Sequence, residues 1–125
     1  MNNGKYSIAI IDDETEILNV LSRSLSRNSD FSVTTYSNPV TALSALSNSK
    51  ADLVLLDIMM PQMNGLEVLE KLKAKDLEQK VIMMTAYSTL DKVLKSHKEG
   101  ATNYVMKPFD SLQALEKKIL EVLKS

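Results

Sequence analysis

Two patterns of hydrophobic and polar positions alternate along this chain. Short runs rich in Val, Ile, Leu and Met, apolar at consecutive positions, predict strands buried on both faces. They fall near residues 6–11, 31–36, 52–57, 81–85 and 102–106, the second (Phe31-Ser32-Val33-Thr34-Thr35-Tyr36) being the least apolar. Between them lie segments with helical spacing. Ile17, Leu18, Leu21 and Leu25 line one stripe, Val40, Leu43 and Leu46 a second, and Leu66, Leu69 and Leu72 a third. Leu90, Val93, Leu94 and His97 make a fourth; Leu112, Leu115, Ile119, Val122 and Leu123 make the fifth and longest.

Several helix starts carry their own signals. Asn38 before Pro39 reads as an N-cap with proline at the first helical position. Asn64 can cap the third helix, with Gly65 relaxing the turn, and Gly100 fits the left-handed stop after the fourth. Asp110-Ser111-Leu112-Gln113 reads as a capping box in which Gln113 reaches back to the cap. Strand–helix alternation repeated five times implies parallel strands joined by right-handed crossovers, with helices on both faces. No linker, repeat or low-complexity tract interrupts it. The expectation is one α/β domain over residues 1–125, a (βα)5 doubly wound parallel five-stranded sheet that stops where its last helix stops.

Four of the apolar runs end in polar residues suited to phosphate chemistry: Asp12-Asp13, Asp57, Thr85 and Lys107. The carboxyl ends of parallel strands are where open α/β sheets build their sites. Asp12 and Asp57 are 45 positions apart, enough for two βα units, so strands one and three can be neighbours. Thr85 follows after 28 positions and Lys107 after 22 more, each about one βαβ step of roughly 30 residues. With the strand order 2-1-3-4-5, the switch point falls between strands one and three, and Asp12, Asp13 and Asp57 share one crevice. Three carboxylates there repel and recruit a cation. Mg²⁺ suits them, because it takes oxygen ligands and binds through one or two carboxylates plus phosphate oxygens. A carboxylate beside such an ion can act as a nucleophile toward a phosphoryl group, with Lys107 offsetting charge and Thr85 donating to an oxygen. Taken singly, the acidic doublet suits a helix start, Thr85 a strand end and Lys107 a solvated surface. As a set in this order they point to a site.

Composition narrows the class. At 125 residues with 44% hydrophobic and 25% charged, the chain suits one globular domain. Its net charge of −1 offers no basic field for nucleic acid or an anionic membrane. The absence of cysteine excludes disulfides, thiolate zinc sites and cysteine nucleophiles. No apolar run reaches the length of a secretory signal or a membrane span, so a cytoplasmic location is expected. The single histidine, His97, offers no metal cluster or triad and reads as an edge-of-core residue. The methionines at 59, 60, 63, 83, 84 and 106 read as core and loop filling.

With these residues in view, the chain resembles the receiver domain of two-component response regulators along essentially its whole length. The matching pieces are Ile10-Ile11-Asp12-Asp13-Glu14, the run from Leu55 through Asp57 and Pro61 to Gly65, Met84-Thr85-Ala86-Tyr87, and Gly100 through Lys107-Pro108-Phe109. The family has the flavodoxin-like order used above. The resemblance implies that Asp57 accepts a phosphoryl group from a phosphohistidine or a small acyl phosphate. It implies that Asp13, Asp57 and the Met59 backbone carbonyl ligate Mg²⁺, Asp12 acting largely through water. Thr85 and Lys107 would bind the phosphoryl oxygens, and Thr85 and Tyr104 would move as switch residues. These shifts would remodel the surface of the fourth helix, fifth strand and fifth helix. The Lys107-Pro108 bond is expected to be cis, as in the family. Implied partners are a sensor histidine kinase or histidine phosphotransfer protein and a downstream effector, without direct nucleic-acid or membrane contact, the protein being a monomer or a phosphorylation-dependent dimer. Mixed charge on the output face (Asp91, Lys92, Lys95, Lys98, Glu99, Glu116, Lys117 and Lys118) selects no particular partner.

Other classes share parts of this pattern. A phosphatase of the haloacid dehalogenase type also uses a strand-end Asp with Mg²⁺, but it wants a second Asp two residues later, where Met59 stands. A flavodoxin-like electron carrier needs a Ser/Thr/Gly-rich phosphate loop where this chain has Asp12-Asp13-Glu14-Thr15. No catalysis beyond Mg²⁺-dependent self-phosphorylation and slow loss of the phosphoryl group is expected. With the last helix closing the expected domain, either a stand-alone regulator or a receiver from a longer one is expected. Met59 and Tyr87, two positions after Asp57 and Thr85, are bulky and offer no acid or base to a hydrolytic water. The aspartyl phosphate is therefore expected to decay slowly, and faster when both are replaced by polar residues. Decay followed by phosphate release that changes little in the double variant contradicts this.

Overall fold

Strict alternation of side chains across the strands decides the architecture. In β1 (Tyr6–Ile11), Ile8 and Ile10 enter one core while Ala9 and Ile11 enter another. β3 (Leu53–Asp57) repeats this with Leu53 and Leu55 against Val54 and Leu56. In β4 (Lys80–Thr85), Ile82 and Met84 oppose Val81 and Met83. Both faces of these strands are apolar because each is covered by helices. The computed structural model describes residues 5–58, 60–61, 63–76, 78–85, 103–106 and 111–125. With β2 (Phe31–Tyr36) and β5 (Asn103–Met106), the strands form one parallel sheet in the order β2-β1-β3-β4-β5. The expected fourth helix with Leu90, Val93, Leu94 and His97, the stop at Gly100 and the Lys107-Pro108 bond lie outside the described residues.

The strands keep their expected places with small shifts at the ends. β3 starts at Leu53 rather than residue 52 because the Asp52 side chain takes over there. Its carboxylate accepts from the Ser7 N–H at 2.7 Å, while the Asp52 N–H donates to the Ser7 carbonyl at 2.8 Å. β4 begins one residue early, at Lys80, and β5 one residue late, at Asn103. Lys80 also ties down the end of the last helix, its ammonium donating to the carbonyls of Leu123 at 2.9 Å and Ser125 at 3.2 Å.

The helices divide between the two faces. α1 (Thr15–Leu25) and the C-terminal helix (Leu112–Lys124) cover one, burying Leu18, Leu21 and Leu25 and Leu115, Ile119, Val122 and Leu123. α2 (Pro39–Asn48) and α3 (Gly65–Lys75) cover the other. Leu66, Leu69 and Leu72 of α3 are buried as the pattern predicts, each apolar side chain contributing roughly 1.5–3 kcal/mol. α2 departs from expectation. Its core contact is made by Pro39 and Ala42, with Leu43 and Leu46 partly buried, while Val40 is 55% exposed. At about 100° per residue, Pro39, Ala42, Leu43 and Leu46 share a face and Val40 lies a quarter turn off it.

Capping follows the same mixed record. Asn38 accepts from the Val40 N–H at 2.8 Å and Asn64 from the Glu67 N–H at 3.0 Å, as read from the sequence. The C-terminal helix is capped by Ser111, whose hydroxyl accepts from the Ala114 N–H at 2.9 Å. That makes Ala114 the third helical residue and Gln113 the second, so Gln113 does not stand at the reach-back position of a capping box. Replacing Leu69 by Ala is expected to cost about 2–5 kcal/mol in urea unfolding, whereas Val40→Ser stays within roughly 0.5 kcal/mol. Equal losses would show that Val40 carries core packing after all.

Candidate functional site

β1 and β3 pair in parallel, and their last matched residues are Ile11 and Leu56. The next residue on each strand is an aspartate, so Asp12 and Asp57 stand side by side at the carboxyl edge of the sheet. Backbone bonds hold both ends in place. The Asp12 N–H donates to the Tyr36 carbonyl at 3.1 Å, and the Ile58 N–H to the Met84 carbonyl at 3.2 Å. The Asp12 carboxylate accepts from the Glu14 N–H at 2.9 Å, an Asx turn that brings the chain round into α1. The N-cap of α1 is Glu14, without a side-chain cap bond, so the acidic doublet does not cap that helix.

One carboxylate oxygen each from Asp12, Asp13 and Asp57 lies within 4.8 Å of the others. Asp12 is fully buried, Asp57 is 5% exposed and Asp13 is half-buried. Ionised carboxylates at that separation repel by roughly 3–4 kcal/mol per pair where the effective dielectric is about 20. A divalent cation among them reverses that balance. The donor set is all oxygen and suits a hard cation, whose octahedral ligands sit about 2.9 Å apart in adjacent positions and about 4.1 Å when opposite. The three side chains therefore fit such an ion with small inward movements.

The neighbouring strand β4 brings Thr85 to this edge. Asp57 pairs with Met84, so Thr85 is one step further along β4, itself paired with Met106 of β5. Tyr104 pairs with Met83. Thr85 and Tyr104 are described through their strand backbones alone, and Met59 and Lys107 lie outside the described residues.

Gly65 has a larger part than its expected role in relaxing a turn. Its N–H donates to the Ile58 carbonyl at 2.7 Å, drawing the start of α3 onto the segment that follows Asp57. A Cβ at this position would lie 2.2 Å from the Asp57 carbonyl oxygen and 2.7 Å from the Ile58 Cα. Both are backbone atoms of the acidic edge, so a side chain there must displace the edge itself. The clue in the sequence was a glycine at the first residue of a helix, where an ordinary residue serves as well.

Known proteins resemble this chain over most of its length. The family model for the response regulator receiver domain matches residues 8–120. The chemotaxis protein CheY of Listeria monocytogenes is 37% identical over 112 residues, covering 86% of this chain and 94% of that protein. The DNA-binding transcriptional regulator NtrC of Escherichia coli is 38% identical over 106 residues, covering 85% of this chain but 22% of its own length. The chain thus spans less than a quarter of that regulator. A CheY-like response regulator receiver domain protein from Methanospirillum hungatei superposes with a TM-score of 0.89 at 33% identity, covering 96% of this chain and 94% of its own.

Gly65→Ala is expected to lower stability by about 1–3 kcal/mol or more in urea unfolding, and to shift the backbone amide resonances of Asp57 and Ile58. A variant as stable as the parent, with those resonances unmoved, would show that the edge tolerates a methyl group.

Proposed function

The chain belongs to the response regulator receiver domain family, and on that premise we propose that it is a phosphoacceptor switch in a two-component phosphorelay. The observation that carries this reading is the buried Asp57 carboxylate grouped with Asp12 and Asp13 at the carboxyl edge of the sheet. An Asp57 oxygen attacks the phosphorus of a partner's phosphohistidine. The P–O bond forms as the P–N bond breaks, its electron pair returns to the imidazole, and an aspartyl phosphate results. Asp12, Asp13 and Asp57, with the Met59 carbonyl, would hold Mg²⁺, which when bound supplies positive charge for the phosphoryl oxygens. Lys107 adds its ammonium and Thr85 its hydroxyl toward the same oxygens.

The switch follows from where those contacts are made. Hydrogen bonds to charged groups contribute roughly 1.5–3 kcal/mol each. Two such contacts formed in one arrangement alone approach the roughly 5.5 kcal/mol that moves an equilibrium from 1:99 to 99:1. Thr85 and Tyr104 then select the arrangement of the surface formed by the fourth expected helix, β5 and the C-terminal helix. On this reading residues 1–125 act as one unit in the cytoplasm. A sensor histidine kinase or histidine phosphotransfer protein supplies the phosphoryl group, and an effector protein reads the output surface. The protein works as a monomer or as a phosphorylation-dependent dimer.

Incubation with Mg²⁺ and acetyl phosphate is expected to give a single acid-stable, base-labile phosphoryl adduct by mass spectrometry. The adduct is absent in Asp57→Asn and after chelation of the metal. An unmodified parent protein overturns the switch reading, and an adduct that survives in Asp57→Asn moves the acceptor elsewhere.

A further inference from the structure

The face of the sheet covered by α2 and α3 carries a feature that the phosphoryl site does not use. From Phe31 to Ser49 no residue is charged, nineteen positions in a chain whose overall 25% would place about five there. α2 lies in this stretch, and its outward residues Val40, Thr41, Ser44, Ser47 and Asn48 are all exposed. A solvent-facing helix carries charged or polar residues on its outer side, and here the polar ones are all uncharged. Depletion of charged residues is one compositional mark of an interface core, and Val40 adds one large exposed apolar side chain to this helix.

The shape of this face agrees. A groove of about 400 Å³ runs between the two helices, lined by Leu43, Ser44 and Ser47 of α2 and Lys71, Ala74 and Lys75 of α3. On α2, Val40 lies three and four residues before Leu43 and Ser44, which extends the stripe by one turn. The walls are small and partly apolar: Leu43 is partly buried, and Ser44, Ser47 and Ala74 leave room for a third helix to approach closely. One rim carries charge of a single sign. Lys71 and Lys75 are exposed, and no ion pair engages them among the described residues, whereas Lys50 nearby is bound to Asp76. Last-turn lysines suit the negative end of a helix, which accounts for Lys75, and Lys71 stands four residues after Glu67 as a helix-stabilising pair. Within the groove lining itself, these two lysines are the charged side chains.

We infer that the α2–α3 groove docks an acidic amphipathic helix of a partner protein, its apolar stripe over Val40 and Leu43 and its carboxylates toward Lys71 and Lys75. Charge complementarity selects this occupant over a second copy of the chain. A second copy related by a two-fold axis would present the same uncharged α2 and the same lysines. Helix-in-groove docking draws its register from apolar anchors at i, i+3, i+4 and i+7 of the docked helix, so the partner helix is expected to carry that spacing. The groove is distinct from the acidic edge, so docking does not require Asp57.

The test uses the full chain, labelled with ¹⁵N, and two synthetic helices of about 18 residues with one Leu stripe, flanked by Glu in one and by Lys in the other. The Glu helix is expected to give saturable shifts confined to α2 and α3, with the Lys helix bound at least about ten-fold more weakly. Lys71→Glu combined with Lys75→Glu should reverse that preference, and both positions are exposed enough for the fold to survive, as circular dichroism checks. Asp57→Asn should bind the Glu helix like the parent, which separates this outcome from failure of the phosphoryl switch. Absent shifts, shifts centred elsewhere, or equal binding of the two helices overturn the proposal. So do shifts on α2 that follow protein concentration without peptide, which assign the groove to a second copy, and stronger binding to phosphatidylglycerol vesicles than to the Glu helix.

Discussion

Parallel pairing of β1 with β3, from Ile8 and Leu53 to Ile11 and Leu56, is the constraint from which the acidic edge follows. Because side chains alternate, a slip of one residue would exchange Ile8 and Ile10 with Ala9 and Ile11 between two differently shaped cores. Each core is closed by helices and cannot accept the exchange without voids or overlaps. The register is therefore held by eight side chains that have no chemistry of their own. Its consequence is chemical: the first polar residue after each strand is an aspartate, and the two are adjacent.

Bringing carboxylates together out of water is unfavourable by itself. The fold accommodates it by placing them where the backbone is already committed. Asp12 is bound through its N–H to Tyr36 and through its side chain to the Glu14 N–H. The segment after Asp57 is bound through Ile58 to Met84 on one side and to Gly65 on the other. The edge is thus fixed from two neighbouring strands and two helix starts, while Asp13 is half-buried. A rigid edge beside a more exposed acid suits the cation and phosphoryl binding proposed for it.

The two faces of the sheet serve different ends. One pairs α1 with the C-terminal helix, which Lys80 fastens to the start of β4. The other carries α2, whose solvent side is uncharged and whose core contact is made by the buried Pro39 and Ala42 together with the partly buried Leu43 and Leu46. A helix without charge on its outer side covers the sheet and leaves free the surface proposed above for a partner.

Much of this was legible along the chain. Consecutive apolar positions closed by Asp12, Asp57 and Thr85 located β1, β3 and β4, because a strand buried on both faces admits no polar residue until it leaves the core. Asn38 and Asn64 announced their helices, since a cap bond spans two or three residues and needs no distant partner. Other features were decided by residues far apart in sequence. Whether Val40 or Ala42 faces the core depends on how closely α2 approaches the sheet. The start of β3 depends on Asp52 meeting Ser7, 45 positions away. Gly65 reads as an ordinary turn residue until folding brings the Asp57 carbonyl to where its Cβ would be. The sequence by itself determined the strand pattern and the polar residues at the strand ends, because both follow from local burial and spacing. The tertiary structure alone decided that three of those acids lie within 4.8 Å and that a glycine must stand behind them, because both depend on which backbones come into contact.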